Sequence, residues 1–251
     1  MVKVIAHVTK LIIATITAIL FSSCVFNKSD DNLIFSSTEG SGNVVSQNRP
    51  VSENFDYISA STGLKVVIEQ DNKASITVEA DDNLQELIKT EIKGKQLEIF
   101  IDGNIKNATK LKVKVRTPNI KGIETSSSAK VISLNTIRSR NISLSASSAS
   151  SLEVAIDAEN ASCETSSAAK ITVRGKTIQL DTDSSSSSRI NAKGLIAKHV
   201  VADASSASNT TINPQESLHA EASSASSIKY INTPAQLSKD ASSGGSVKKS
   251  E

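Results

Sequence analysis

A six-residue serine-rich segment recurs seven times in the C-terminal half of the chain. Successive segments begin 21, 19, 19, 20, 18 and 19 residues apart. So short and regular a period is typical of a solenoid, in which each repeat contacts only its neighbours in the stack. We call these six residues the serine segment and number its positions one to six. The seven first positions are Ser126, Ser147, Ser166, Ser185, Ser205, Ser223 and Ser242.

Apolar residues occupy every second position on both sides of a typical serine segment. Around Ser147 they are Ile142, Leu144 and Ala146 before the segment, Leu152 at its sixth position and Val154 after it. Alternate residues of a strand point to the same side, so two inward-facing strands meet at a corner of small residues. One repeat is long enough for a single circuit, and successive circuits stack with parallel pairing. The predicted fold is all-β: a right-handed parallel β-helix, a single-stranded solenoid with about 19 residues per coil.

The composition fits a thin solenoid better than a thick globular core. Aromatic residues make up 3% of the chain, and tryptophan is absent. A serine-rich chain of low hydrophobicity is otherwise typical of disorder, because it buries too little apolar surface to offset the entropy of ordering. The regular placement of the apolar residues argues against that alternative.

We predict a structural role for the serines of the corners. Every segment has serine at its first and second positions. Corners stacked on similar corners leave room only for small side chains, whose hydroxyls can hydrogen-bond along the stack to backbone groups of the turn. A catalytic serine would need a base and an orienting acid, which seven equivalent copies cannot all have.

Residues 1–23 have the pattern of a lipoprotein signal peptide. Lys3 and Lys10 precede an uncharged run at 11–21, and Cys24 follows two serines. The apolar run is too short for a permanent membrane span. The residues before Cys24 resemble a bacterial lipobox, so Cys24 is the predicted lipidation site and membrane anchor. An ordinary secreted protein with an incidental cysteine is the alternative.

Three regions follow the predicted signal peptide. Residues 24–43 are polar and lack periodicity, which predicts a flexible tether. Residues 44–118 alternate apolar and polar side chains in several runs, which predicts an N-terminal β region packing on the solenoid. Within it we predict an acidic cap at 81–83 on one helical turn, and a last strand that ends before Pro118. The serine-rich repeats occupy 119–251.

The mature chain has balanced charge. Loss of Lys3 and Lys10 with the signal peptide leaves 26 basic residues against 26 acidic residues. Nucleic-acid binding needs a clustered positive surface, so we do not expect it. Cys163 has no partner if Cys24 carries a lipid, and its neighbours predict a small core residue rather than a nucleophile.

An acidic column lies two positions before the serine segments and should face outward. Like charges directly opposite one another in a sheet are destabilising, so compensation is expected. Cations across the corner are candidates in three repeats, at Lys130, Lys170 and Arg189. For the last repeats we hypothesise that Asp203, Glu221 and Asp240 attract a divalent cation such as calcium, which prefers carboxylate oxygens. A solvated acidic stripe is the alternative. The column is Glu124, Ser145, Glu164, Asp183, Asp203, Glu221 and Asp240.

No set of residues points to catalysis. His199 and His219 are predicted neighbours on the outer surface, as a metal pair or as two plain surface side chains. Polysaccharide lyases use β-helices, but their clefts need loop insertions and profit from aromatic platforms. Here the repeat length stays between 18 and 21 residues, and Tyr230 is the only aromatic residue after Phe100. We therefore predict that the protein is not an enzyme.

Two stretches of the chain, together with the repeated small-residue turns, resemble a known family. They are GSGNVVSQNRPVSENFDYISASTGLKVVIEQ from Gly40 and ITVEADDNLQELIKTEIKGKQLEI from Ile76. Over residues 40–247 the chain resembles the bacterial "putative auto-transporter adhesin, head GIN domain" proteins, frequent as exported lipoproteins. The resemblance implies a β-helical body at the cell envelope and carries over no catalytic residues. Where the family commonly has Gly-Asp turns, this chain has Ser-Ser-Ala-Ser, which argues against corners that need the backbone freedom of glycine.

We therefore expect a non-enzymatic, envelope-anchored β-helix that serves as a surface adhesin or binding scaffold. The alternatives are a polysaccharide-active β-helix enzyme and a purely structural envelope protein. The expected location is the outer membrane, on the cell surface or the periplasmic face, with a cell-surface glycan or protein as partner and no cofactor unless calcium. Lys121 and Lys239 fall on the inward face, where we expect the stack to end. Exposed end strands can pair with copies of themselves, so a homo-oligomer is an open expectation.

Overall fold

Each serine segment forms a corner between strand regions, and the corners stack in a row. A computed structural model describes residues 37–250, which belong to one compact unit. The predicted signal peptide, the lipidation site Cys24 and the first part of the predicted tether lie outside the described residues. Within residues 37–250, no helix has the length and apolar character that a membrane crossing requires.

Strands make up most of the described chain, together with a 3-10 helix at Asp82–Leu87. The strands are β1 (Ser37–Glu39), β2 (Val44–Arg49), β3 (Tyr57–Ala60), β4 (Lys65–Gln70), β5 (Ser75–Asp81), β6 (Ile88–Lys93), β7 (Gln96–Ile101), β8 (Asn104–Asn107), β9 (Leu111–Thr117), β10 (Gly122–Thr125), β11 (Lys130–Ala146), β12 (Ser151–Thr165), β13 (Lys170–Ser184), β14 (Arg189–Ala204), β15 (Asn209–Ala222), β16 (Ser227–Tyr230), β17 (Gln236–Ala241) and β18 (Ser246–Lys249).

The repeats form a β-solenoid in which each coil pairs in parallel with the next. β11 to β15 are long because each continues from one face of the coil to the next, in several coils through a bulge or other irregularity. Leu144 lies opposite Cys163, and Cys163 lies opposite Thr182, so inward positions stack on inward positions. The all-β solenoid predicted from the repeat length is confirmed.

The interior is filled by the residues that alternate along the strands. Leu144, Cys163, Ala202 and Ala220 occupy one inward column and are fully buried. Burial of a Val, Leu or Ile side chain contributes roughly 1.5–3 kcal/mol, whereas alanine and serine contribute much less. Other inward columns supply larger buried side chains, among them Val131, Leu152 and Ile171, so the stability of the core depends on these columns as well as on the number of stacked coils.

The N-terminal β region extends the solenoid instead of packing on it as a separate layer. β3 pairs in parallel with both β10 and β7, and β4 pairs in parallel with both β11 and β9. One continuous core runs through both regions. The boundary predicted at residue 119 is thus not a structural boundary, because the strands before it satisfy the sheet edges of the first repeat. Lys121 does not end the stack: its exposed Nζ lies 2.7 Å from Oδ2 of Asp56.

A further corner of the same kind lies at residues 61–64, outside the repeats recognised in the sequence. Thr62 and Gly63 have φ values of 56° and 70°. The Gly63 N–H donates to the Ser127 carbonyl at 2.9 Å, as the third residue of the later corners bonds to the coil that follows. The two corners are far apart in sequence because β5 to β9 lie between them.

Antiparallel strands close the N-terminal end of the solenoid. β6 pairs with β7, and β5 lies between β2 and β9, all antiparallel. Residues 37–43 belong to this closure, since β1 pairs with β8 and the Gly40 N–H donates to the Asn107 carbonyl at 2.8 Å. The prediction of a free tether is therefore wrong for residues 37–43, where backbone hydrogen bonds attach the chain to the body.

Asp81 fastens this closure and does not cap the helical turn that follows it. Its side chain makes no capping hydrogen bond. The buried carboxylate instead accepts hydrogen bonds from the N–H groups of Gly42 at 2.9 Å and Thr109 at 2.8 Å. Burial opposes ionisation, but hydrogen bonds from Thr109, Gly42 and Lys110 outweigh it and lower the pKa of Asp81. The helical turn and the strand ending before Pro118 are confirmed, whereas the predicted cap is wrong for Asp81.

The C-terminal end of the solenoid is open within the described residues. β17 pairs only with β15, and β18 pairs only with β16. All six residues of β17 are exposed, including the inward-column Leu237 at 37%. Lys239 lies opposite Ala220 at an inward position of this last coil, as expected for the end of the stack.

Candidate functional site

The serine corners form a continuous ridge along the solenoid. In the first six segments the first position is half-buried, the second and third are exposed, and the fourth is buried. The seven first-position serines lie at equivalent places in successive coils. The ridge therefore presents small side chains at intervals of one strand spacing, about 4.8 Å.

Two consecutive left-handed residues build each corner of this ridge. In the second segment, Ser148 and Ala149 have φ values of 51° and 59°, as at both central positions of a type I′ turn. Such corners normally favour glycine or asparagine. Among the left-handed positions of the seven segments, however, Gly244 is the only residue of either type. The expectation that these corners do without glycine's conformation is wrong: serine and alanine adopt it.

Backbone hydrogen bonds hold these residues in the left-handed region. The Ala149 N–H donates to the Ser167 carbonyl of the next coil at 2.9 Å, and the Ser147 N–H donates to the Thr125 carbonyl of the previous coil at 2.9 Å. The Ser150 N–H closes the turn on the Ser147 carbonyl at 3.1 Å. Each hydrogen bond makes a net contribution of about 0.5–1.5 kcal/mol to stability, which offsets the cost of the left-handed conformation.

Fourth-position hydroxyls, rather than those of positions one and two, bond between coils. Each of these hydroxyls donates, at 2.8–3.0 Å, to the backbone carbonyl of the residue just before the serine segment of the preceding coil. The donors are Ser150, Ser188, Ser208 and Ser226. The predicted hydroxyl bonding therefore exists at another position, because the left-handed pair turns the fourth side chain inward. Second-position hydroxyls point to solvent and are available for binding.

The acidic column flanks the ridge, and its members face outward as predicted. Asp183, Asp203, Glu221 and Asp240 lie directly opposite one another in four successive coils. The column also continues through Ser59 to Glu98 in the N-terminal coils. No serine segment lies beside Ser59 or Glu98, so the sequence repeat does not reveal this part of the column.

Cations across the ridge do not pair with the acids. Lys130, Lys170 and Arg189 lie in exposed positions there, but the ion pairs formed nearby within residues 37–250 join other side chains. Arg174, for instance, lies 3.7 Å from Glu153. The predicted compensation by Lys130, Lys170 and Arg189 is therefore not made by direct contact.

Asp203 shows the electrostatic cost of this column. Partial desolvation, followed by the negative charges of Glu221 and Asp183, raises the pKa of Asp203, and His219 partly opposes the shift. Among the described residues, no group of three or more His, Cys, Asp or Glu side chains is placed to hold a metal ion. Calcium binding by Asp203, Glu221 and Asp240 thus stays a prediction, and their geometry does not strengthen it.

We expect Asp203→Asn to stabilise the protein at pH 7 by roughly 0.5–1 kcal/mol, because it removes two like-charge contacts across neighbouring strands. The folded state binds the Asp203 proton more tightly than the unfolded chain, so the carboxylate destabilises the fold above its raised pKa. The cost disappears as the pH falls below the unfolded pKa of about 3.9. Urea unfolding followed by circular dichroism at pH 7 and pH 3 measures the difference.

Asp157→Asn is the matched control for this prediction. Asp157 also faces outward, but its Oδ2 lies 3.3 Å from Nζ of Lys176, so its removal should give no stabilisation. Equal stability of Asp203→Asn and the unmodified protein at pH 7 would show that solvent screens the column completely.

The two histidines are neighbours on the same face but are not stacked. His199 lies opposite Ser217 and bonds its hydroxyl through Nδ1 at 2.9 Å, whereas His219 lies opposite Val201. Nε2 of His219 is 3.2 Å from Glu221. Their separate partners fit the interpretation as surface side chains.

Cys163 lies within the core, as predicted from its neighbours. It is fully buried, and its thiol is free. Burial raises the pKa of Cys163 to about 12, so the thiol stays protonated and unreactive at neutral pH.

Comparison with known proteins gives the same architecture. A family model described as "Putative auto-transporter adhesin, head GIN domain" matches residues 54–234. A putative adhesin from Bacteroides fragilis NCTC 9343 superposes with a TM-score of 0.80 at 21% identity, covering 85% of this chain and 100% of that one. No curated protein matches the sequence.

Two structures from Parabacteroides distasonis ATCC 8503 are also similar. One is described as a putative lipid binding protein, with a TM-score of 0.72, 20% identity, and coverage of 86% of this chain and 100% of that one. The other is described as a putative adhesin, with a TM-score of 0.71, 19% identity and the same coverage of both chains. At such identities the likeness concerns the fold.

Proposed function

The chain belongs to the "Putative auto-transporter adhesin, head GIN domain" family, and we propose that it is a non-enzymatic adhesive module exported to the cell surface. A lipid on Cys24 would anchor it in the outer membrane, with the solenoid carrying the binding surface. Its partner is a cell-surface glycan or protein.

The observation that carries this proposal is the in-register repetition of outward groups. The exposed serine ridge and the acidic column repeat once per coil, with strand pairs such as Asp183 and Asp203 directly opposite. A rigid row of equivalent hydroxyl and carboxylate groups suits contact with a repetitive polymer, because many weak contacts add up along its length. A catalytic centre would instead need one distinct constellation of groups.

A binding assay with purified full-length protein tests the proposal. We expect fluorescently labelled cells or polysaccharides to be retained on immobilised protein without release of reducing or unsaturated sugars. Release of such sugars would favour the enzyme alternative, and absence of retention would favour a purely structural protein. A variant with Ser148, Ser167, Ser186 and Ser206 changed to Asp should bind less, whereas Cys163→Ala, altered only in the core, should bind normally.

Protease treatment of intact cells tests the location. An adhesin must be reachable from outside, so we expect the solenoid to be cleaved or released before the outer membrane is broken. Cys24→Ala should abolish metabolic labelling with an alkyne fatty acid and release the protein from the membrane fraction. Protection of the unmodified protein on intact cells would contradict surface adhesion.

A further inference from the structure

A groove runs along the solenoid at a corner distinct from the serine ridge. Its floor is a column of small side chains, with Ser139 opposite Ala158 and Ala158 opposite Thr177. Outward side chains on either side of this column form the walls of an open groove of about 700 Å³. A volume in this range, above a floor of small residues, is typical of small-molecule sites.

One end of the groove is cationic. Arg138 and Arg140 stand on either side of Ser139 in the same coil. Gln70 holds the Arg138 backbone by accepting its N–H at 2.8 Å and donating to its carbonyl at 3.0 Å. Arg140 uses Nε to bond Glu159 at 3.1 Å, which leaves its terminal nitrogens free. Two guanidinium groups so placed suit a carboxylate or a phosphate.

The other end of the groove combines two exposed isoleucines with Lys176 and Lys198. Ile178 and Ile196 are 48% and 53% exposed, although side chains of this kind are usually buried. They lie two and three coils beyond the arginines, or roughly 10–14 Å along the axis. The distance between the arginines and the isoleucines is that of a medium-length extended alkyl chain.

We propose that this groove binds single-chain anionic amphiphiles. The head group lies between Arg138 and Arg140, and the alkyl chain runs over Ala158 and Thr177 onto Ile178 and Ile196. The acids Asp157 and Glu159 of the next coil repel an anionic head placed over them. This site is separate from the serine ridge and goes beyond the adhesive function.

Equilibrium dialysis of the full-length protein with dodecanoate and with dodecyl phosphate, below their micelle concentrations, tests the proposal. We expect saturable binding of both anions, and the ratio of their affinities distinguishes a fatty acid from a phospholipid-derived ligand. Dodecanol and dodecyltrimethylammonium should bind at least tenfold more weakly. Equal binding of either control compound would overturn the assignment of the head group.

Variants test the position of the ligand. Arg138→Glu and Ile196→Asp should each weaken dodecanoate binding at least tenfold. Lys130→Glu and Leu134→Asp change equally exposed residues outside the groove and should leave binding unchanged. All four positions are exposed, and thermal unfolding verifies that each variant folds. Unaltered binding by folded Arg138→Glu and Ile196→Asp would refute the site, whatever the outcome of the adhesion assay.

Discussion

Glycine at the third position of the serine corners is expected to stabilise the protein by about 3–6 kcal/mol when it is introduced at all six corners that lack it. A non-glycine residue in the left-handed region costs roughly 1–2 kcal/mol, while the greater freedom of glycine in the unfolded chain takes back about 0.5–1 kcal/mol. The net gain is about 0.5–1 kcal/mol per corner. The six residues are Ser128, Ala149, Ala168, Ser187, Ala207 and Ala225.

Loss of the third-position side chains should cost little. These side chains are exposed, and they contribute little to the core. The last corner already has Gly244, where an added Cβ would lie 3.9 Å from Ala225, an ordinary contact. Backbone conformation, and not space, therefore separates glycine from alanine at these positions. Stacked corners touch one another, so the gains need not add exactly.

Urea unfolding of Ala207→Gly, and of the variant that carries all six glycine substitutions (the sixfold variant), measures the change in the free energy of unfolding. Ala169→Gly is the control, because Ala169 occupies a buried fourth position outside the left-handed pair. It should lose about 1 kcal/mol through backbone entropy and lost packing. A sixfold variant no more stable than the unmodified protein would show that stacking hydrogen bonds already remove the strain.

The solenoid could be predicted from sequence because its determinants are local and repeated. The spacing of the serine segments sets the coil length, and the alternation around Leu144 and Leu152 sets the inward face. The same alternation identified β4, β5, β7 and β9 within residues 44–118. It could not show that β3 and β4 join the ladder of the repeats, because strand partners distant in sequence leave no periodic signal.

Details that depend on backbone direction or on distant contacts were not predictable. The Ser150 hydroxyl forms its hydrogen bond because the two residues before it adopt the left-handed conformation. Neither serine nor alanine predicts that conformation from sequence. Asp81 looks like a helix cap, but its partners Gly42 and Thr109 are distant in sequence. The groove at Arg138 likewise arises from side chains of several coils, each of which resembles an ordinary surface residue when taken alone.

The open end at β17 leads to the second large prediction, which concerns self-association. The Ser242 N–H donates back to Ala222 at 3.0 Å. Because backbone groups alternate in direction along a strand, those of Leu237, Lys239 and Ala241 point to the free edge. Such an edge is a template for pairing with a second copy of the chain.

Lys239 is the residue that opposes this pairing. The longest antiparallel register between two β17 edges places Leu237 opposite Ala241 and Lys239 opposite Lys239 of the second copy. Two ammonium groups would then face each other over the end of the core, where like charges directly opposite are destabilising. An inward-pointing charge on an edge strand is a recognised protection against such contacts.

Lys239→Val is therefore expected to convert the protein into an end-to-end dimer, with a dissociation constant at least tenfold below that of the unmodified protein. Sedimentation velocity over a range of concentrations measures the change. Ser238→Val adds the same β-branched side chain to the outward face of the same strand and keeps the charge of Lys239, so it should remain monomeric. A monomeric Lys239→Val, or an equally dimeric Ser238→Val, would contradict the role of the charge.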